Sequence, residues 1–116
     1  MKIDTLVIGL GKIGMLYDFN KRKHFNNHCE ALKNHNYFNL IGGVDISQKR
    51  RKLFLKKYKL PVFKNIREAF KKLEPKMIVI STPTEKNIEI FKFIKMKKIK
   101  PKIILLEKPG SYFYRE

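Results

Sequence analysis

IGLGKIG, Ile8 to Gly14, sets three glycines at the spacing G-x-G-x-x-G, with the apolar run Leu6-Val7-Ile8 leading into it. Glycines at this interval make a phosphate-cradling turn when a strand precedes them and a helix follows, within the first βα unit. The rest of the chain supplies that context. Apolar runs of four to seven residues alternate with longer stretches of helical period, the pattern of βαβ units around a parallel sheet. The expected strands are Ile3 to Ile8, Phe38 to Val44, a short Pro61 to Phe63, Met77 to Ser81 and Ile103 to Glu107. The nearly continuous runs Met77-Ile78-Val79-Ile80 and Ile103-Ile104-Leu105-Leu106 suit strands covered by helices on both faces. The fold class is therefore α/β, a Rossmann-type doubly wound parallel sheet of about five strands with helices on both faces.

The helices between these strands carry their own signals. Asn65 has the form of an N-cap with Glu68 three residues on, and Ile66, Ala69, Phe70 and Leu73 then fall on one face. Ser47 is placed to cap a helix through about Lys59 that buries Leu53, Phe54 and Tyr58. Thr84 is placed to cap another through about Lys97 that buries Ile88, Phe91 and Ile94. Pro61, Pro75 and Pro101 each end a helix just ahead of a strand. The polar, basic and aromatic segment Tyr17 to Asn27 has no period and reads as a loop inserted after the first helical turn.

Composition narrows the class. With 116 residues and 43% apolar content the chain fits one domain with one core. It has no apolar run of membrane-spanning length and no secretory leader pattern after Met1, so a cytoplasmic protein is expected. Cys29, the single cysteine, reads as a small packing residue in a reducing compartment. The net charge of +17 would support non-specific binding to nucleic acid or another polyanion. Its two concentrations, Lys49 to Lys59 and Lys95 to Lys102, have apolar residues interleaved at helical intervals and read as solvated faces of amphipathic helices. His24 and His28 stand four apart beside Cys29 and Glu30, but the further ligands that a structural metal site needs are not evident, and no metal is expected.

The chemistry of the glycine turn follows from backbone geometry. Gly9 permits the tight turn, Gly11 lets the backbone approach a pyrophosphate and Gly14 lets the helix pack on the sheet. The amides around Lys12 and Ile13 then point at phosphate oxygens. Asp45, closing the second strand, supplies an acceptor for the adenosine ribose hydroxyls and favours NAD over NADP. Lys49 and Arg50 follow shortly and could neutralise a 2′-phosphate, which keeps NADP open. The alternative for Asp45 is a cap or turn acid near Ser47.

Leu106-Glu107-Lys108-Pro109 after the last strand, Ser81-Thr82-Pro83-Thr84 after the fourth and the GLGKIG turn after the first stand in an order that resembles the glucose-fructose oxidoreductase and inositol dehydrogenase family, Gfo/Idh/MocA. The resemblance covers nearly the whole chain and implies an oxidoreductase whose motifs line the cofactor cleft of an N-terminal Rossmann domain. On it, Gly9, Gly11 and Gly14 hold the pyrophosphate, Asp45 holds the adenosine ribose, and Thr82 and Pro83 lie along the nicotinamide side. Glu107 and Lys108 belong to the motif at the nicotinamide ribose, where Lys108 reaches the substrate hydroxyl as a fixed cation. Without the resemblance, Lys108 reads as a surface lysine. Where the family often has a histidine in a T-P-x-x-x-H pattern, this chain has Asn87. The family's second α/β domain, which supplies the substrate wall and a catalytic histidine and mediates oligomers, finds no counterpart in residues 1–116. The expectation is one dinucleotide-binding domain that meets a sugar, polyol or related substrate only with further polypeptide. Apolar surface left uncovered would favour self-association. The competing readings are a polyanion-binding module and a nucleotide sensor on the same scaffold.

Overall fold

The computed structural model describes residues 2–16, 27–96, 101 and 103–106. Among these, five parallel strands form one sheet: β1 (Ile3–Ile8), β2 (Phe38–Val44), β3 (Val62–Phe63), β4 (Met77–Ile80) and β5 (Ile103–Leu106), in the spatial order β3-β2-β1-β4-β5. The chain winds outward from β1 through β2 to β3, then returns to the other side of β1 for β4 and β5. That reversal between β1 and β4 is the topological switch point of a doubly wound sheet.

Side-chain alternation assigns the layers. Val7, Leu40, Met77 and Val79 point to one face, where helices α1 (His28–Lys33) and α2 (Gln48–Tyr58) cover them with Cys29, Leu32, Phe54 and Tyr58. Leu6, Ile8, Ile78 and Ile80 point to the other, under α3 (Ile66–Lys72) and α4 (Thr84–Met96), which bring Ala69, Ile90 and Ile94. β4 throughout and β1 from Leu6 to Ile8 are apolar because both of their faces are buried there. A register shift between Thr5 and Leu6 leaves Ile41 as the extra residue of β2, and beyond it Val44 joins the second face.

The expected caps at Ser47 and Asn65 are present, each side chain accepting the backbone N–H three residues on. Asn27 caps α1 in the same way, accepting the Glu30 N–H at 2.9 Å. Glu30 is then buried against α2, where the Tyr58 hydroxyl donates to its Oε2 at 2.6 Å and Lys57 Nζ lies at 3.3 Å. This carboxylate ties the short α1 to α2. Burial, followed by the bond to Glu30, pushes the Tyr58 phenol well above its ordinary value. Burial and then the Glu30 charge do the same to the Cys29 thiol, which is a packing group of the core. Tyr58→Phe removes a hydrogen bond to a charged acceptor and should lower stability by about 2 kcal/mol in urea unfolding, with no change in helix content.

Three expectations are corrected. The helix after the glycine turn is a single π-helical turn, Lys12–Leu16, in which the Gly11 carbonyl accepts both the Met15 and the Leu16 N–H at 2.8 Å. α4 begins at Thr84 itself and buries Asn87, Ile90 and Ile94, whereas Ile88 and Phe91 are exposed. The helix is rolled toward α3, where Phe93 stacks on Phe70 at 6.2 Å and takes the Arg67 guanidinium on its ring. Finally, β5 is an edge strand with all four residues exposed rather than covered. The segment 17–26 with His24, the residues 97–100 and 102 of the second basic stretch, and the tail 107–116 lie outside the described residues. No described helix is long and apolar enough to cross a membrane.

Candidate functional site at the carboxyl ends of the strands

The carboxyl ends of β1, β2 and β4 meet at the switch point, and each contributes a short segment held to the others by hydrogen bonds. Gly9 follows β1 with φ +99°, a conformation that a side chain would strain, and a Cβ there would lie 2.9 Å from the Ser81 carbonyl group. The turn then folds back so closely that a Cβ on Gly14 would collide with the Gly9 carbonyl oxygen. Gly11 differs from both. Among the described residues, a Cβ on it would meet only the tip of Arg50, at an ordinary 3.7 Å. The protein's own packing requires two of the three glycines, and the middle one has room for a Cβ among the described residues.

Ser81, at the end of β4, clamps the turn from below. Its hydroxyl donates to the Gly9 carbonyl at 2.9 Å, and its N–H donates to the Ile8 carbonyl at 2.9 Å. Thr82 comes next, its methyl 3.0 Å from the position of a Gly9 Cβ, and its hydroxyl donates to the buried Asn87 Oδ1 at 2.7 Å. Pro83 is exposed beside it. The S-T-P segment therefore lines the glycine turn, with Asn87 of α4 fixing the rotamer of Thr82.

From the other side Asp45 reaches across from the end of β2. Its Oδ2 accepts the Leu10 N–H at 2.7 Å and its Oδ1 accepts the Ser47 N–H at 2.8 Å. The second bond is the turn-acid contact foreseen as an alternative. The first, between residues 35 apart in sequence, braces the glycine turn against β2. Arg50 Nη1 stands 3.6 Å from Asp45 Oδ2, and the Arg51 Nη1 donates to the carbonyls of Asp45 and Ile46 at 2.9 Å. Ile46 is 80% exposed, an apolar side chain standing free at the rim.

The structure thus brings Gly9, Gly11, Gly14, Asp45, Thr82 and Pro83 together at the carboxyl ends of the strands, with the backbone of Lys12 and Ile13 in the π-turn. Glu107 and Lys108 lie outside the described residues. Ser81 as the clamp and Arg50 as the neighbour of Gly11 were not legible from spacing, because both contacts join segments far apart in sequence. A separate shallow cavity of about 380 Å³ along α2 is lined by Gln48, Lys49, Lys52, Leu53 and Lys56 and does not include the glycine turn. Among the described residues no group of three or more histidine, cysteine or acidic side chains comes together.

The sequence pattern of the Gfo/Idh/MocA oxidoreductases, described as an oxidoreductase family with an NAD-binding Rossmann fold, matches residues 3–115. The chain belongs to the Gfo/Idh/MocA family. As in the family description, it is an NAD-binding Rossmann domain. Solved structures share the fold. The myo-inositol dehydrogenase of Corynebacterium glutamicum superposes with a TM-score of 0.71 at 17% identity, over 94% of this chain and 28% of that one. The myo-inositol 2-dehydrogenase of Lactobacillus plantarum gives 0.68 at 16% identity, over 94% and 29%. GenD2 from gentamicin A biosynthesis, solved in complex with NAD, gives 0.68 at 18%, over 93% and 27%. This Gfo/Idh/MocA chain therefore spans between a quarter and a third of the length of these structures. No curated protein matches its sequence significantly.

Proposed function

We propose that this chain is the cofactor-holding part of a cytoplasmic dehydrogenase for a sugar, polyol or related hydroxyl compound, with further polypeptide forming the substrate side. The observation that carries the reading is the division among the glycines: Gly9 and Gly14 are packed against the protein's own backbone, and Gly11 meets, among the described residues, only the end of the Arg50 side chain at van der Waals distance. A dinucleotide pyrophosphate fits that cradle. The N–H groups of Lys12, Ile13 and Gly14 open a helical turn and have no acceptor within it, so they are available to phosphate oxygens. The turn is a single one, and these donors, rather than a long helix dipole, carry the attraction. Asp45 retains lone pairs for ribose hydroxyls after accepting its two backbone N–H groups. Ile46 offers its exposed side chain to the adenine ring.

On the nicotinamide side, Thr82 and Pro83 shape the wall, and Asn87 holds Thr82 in place without an ionisable group. The nicotinamide ring supplies the hydride chemistry when bound. Lys108, carried over from the family motif, contacts its ribose and holds a positive charge at the substrate hydroxyl. Hydride transfer also needs a substrate held against the ring and a positioned acid or base. Polypeptide beyond these residues, from the same or another chain, supplies those. The structural relatives' greater length supports that division.

Titration of the chain with NADH, followed by the cofactor's fluorescence, should give saturable binding with a Kd between about 1 μM and 1 mM, the range of working cofactor sites. Binding through backbone donors should survive 0.5 M salt with only a few-fold weakening, on the order of one or two released ions. Absence of saturation, or loss of binding in salt, would instead make the glycine turn a remnant and the +17 charge the next property to test.

A further inference from the structure

We propose that the side-chain amide of Asn87, together with the Thr82 hydroxyl, recognises the primary amide of the nicotinamide. The inference rests on the proposed cofactor site and concerns the end of the dinucleotide opposite Asp45. Asn87 stands in the first turn of α4 and is only 6% exposed. Its Oδ1 accepts the Thr82 hydroxyl at 2.7 Å. Its Nδ2 carries two N–H donors and has no hydrogen-bond partner among the described residues. Nδ2 is not sealed in the core either, since every fully buried side-chain nitrogen or oxygen among the described residues has a partner. The donor edge of the amide therefore reaches accessible space. Thr5, Glu30 and Asp45, buried to a similar degree, are bonded to the protein itself. Asn87 is held on its acceptor side only, which leaves its donors for a group that the protein does not provide.

Place and chemistry together select the ligand group. A dinucleotide lies across the carboxyl ends of the strands at the switch point. With its adenosine ribose at Asp45 beyond β2 and its pyrophosphate at the turn after β1, its nicotinamide half lies toward β4. Thr82 follows β4 there, its methyl 3.0 Å from the position of a Gly9 Cβ, and Asn87 is bonded to it. The Thr82 hydroxyl has given its proton to Asn87, so toward a ligand it can only accept. Nδ2 branches from the same carbon as the bonded Oδ1, which sets a donor next to that acceptor. A primary amide carries the complementary pair, a carbonyl oxygen for Nδ2 and an N–H for the Thr82 Oγ1. A carboxylate or phosphate in its place would face the Thr82 lone pair without a donor, and a ring without the amide would leave both protein groups unpaired.

The test compares NADH with ADP-ribose, which keeps the adenosine and the pyrophosphate and lacks the nicotinamide. Titration calorimetry gives both Kd values for the chain itself and for two near-isosteric variants. Asn87→Asp keeps an oxygen for the Thr82 hydroxyl and replaces the N–H donors by a second oxygen. NADH binding should weaken by about tenfold or more, since a hydrogen bond is lost and a carboxylate then faces the amide carbonyl. Thr82→Val removes the acceptor and should weaken NADH binding by about threefold to tenfold. ADP-ribose affinity should stay within about twofold in both variants, less than the effect of one hydrogen bond, and it also reports that they fold. An equal loss for ADP-ribose and NADH would make Asn87 a support of the turn and overturn the inference. NADH binding that Asn87→Asp leaves unchanged overturns it as well, and either result leaves the cofactor site standing. Binding of neither ligand by the unaltered chain overturns the proposed function and this inference with it.

Discussion

Gly14→Ala should lower the stability of the domain by about 3 kcal/mol, at the upper end of the cost of overpacking, and abolish dinucleotide binding. The methyl group would be built into the Gly9 carbonyl oxygen, and that oxygen is held by the Ser81 hydroxyl at 2.9 Å. Backbone on both sides of the clash leaves no flexible side chain to yield. Relief comes only by opening the turn, which releases Gly9 from Ser81 and the Leu10 N–H from Asp45 together. A thermal melt followed by circular dichroism should show a midpoint roughly 12 °C lower. Gly11→Ala provides the contrast. Among the described residues its methyl would meet only the Arg50 tip, at 3.7 Å, so the melt should move by less than about 2 °C, within the range of a surface change. Dinucleotide affinity should nevertheless fall by more than about tenfold, because the methyl occupies the approach of the pyrophosphate. If Gly11→Ala bound NADH normally, the room at Gly11 would have no part in cofactor binding.

Phe54→Ala should cost about 4 kcal/mol, the range for deleting a fully buried aromatic side chain. Phe54 is completely buried in the layer between α2 and the sheet, and its ring lies 5.1 Å from that of Tyr58. It fills the space over Gly43, where an added Cβ would meet the ring at 3.0 Å. Gly43 contributes no side chain to the void that the ring would leave. The loss is a large share of the 5–15 kcal/mol that holds a domain of this size together. It should also reach the site, because α2 carries Ser47, Arg50 and Arg51, the residues that hold Asp45 and its loop. Urea unfolding checks the first effect. A dinucleotide titration well below the lowered melting temperature checks the second, and wild-type affinity there would show that the adenosine end is held independently of the helix core.

The sequence by itself determined the five strands and their parallel class, since each is a short apolar run bounded by proline, glycine or polar residues, and such boundaries are local. It also determined the caps at Ser47 and Asn65 and the glycine turn, all of which act within a few residues of themselves. The tertiary structure decided which stripe of α4 is buried. Ile88 with Phe91 and Ile90 with Phe93 are both apolar pairs at helical spacing, so periodicity alone does not separate them. The ring of Phe70 on α3 and the hydroxyl of Thr82 do, by receiving Phe93 and Asn87. It decided the exposure of β5 as well, because the same apolar run forms a strand whether or not its faces are covered. And it decided the bracing of the glycine turn, in which Asp45 reaches Leu10 and Ser81 reaches Gly9 across the ends of separate strands. Contacts between residues so far apart in the chain leave no local period or spacing, and they exist only once the sheet has set the strand ends side by side.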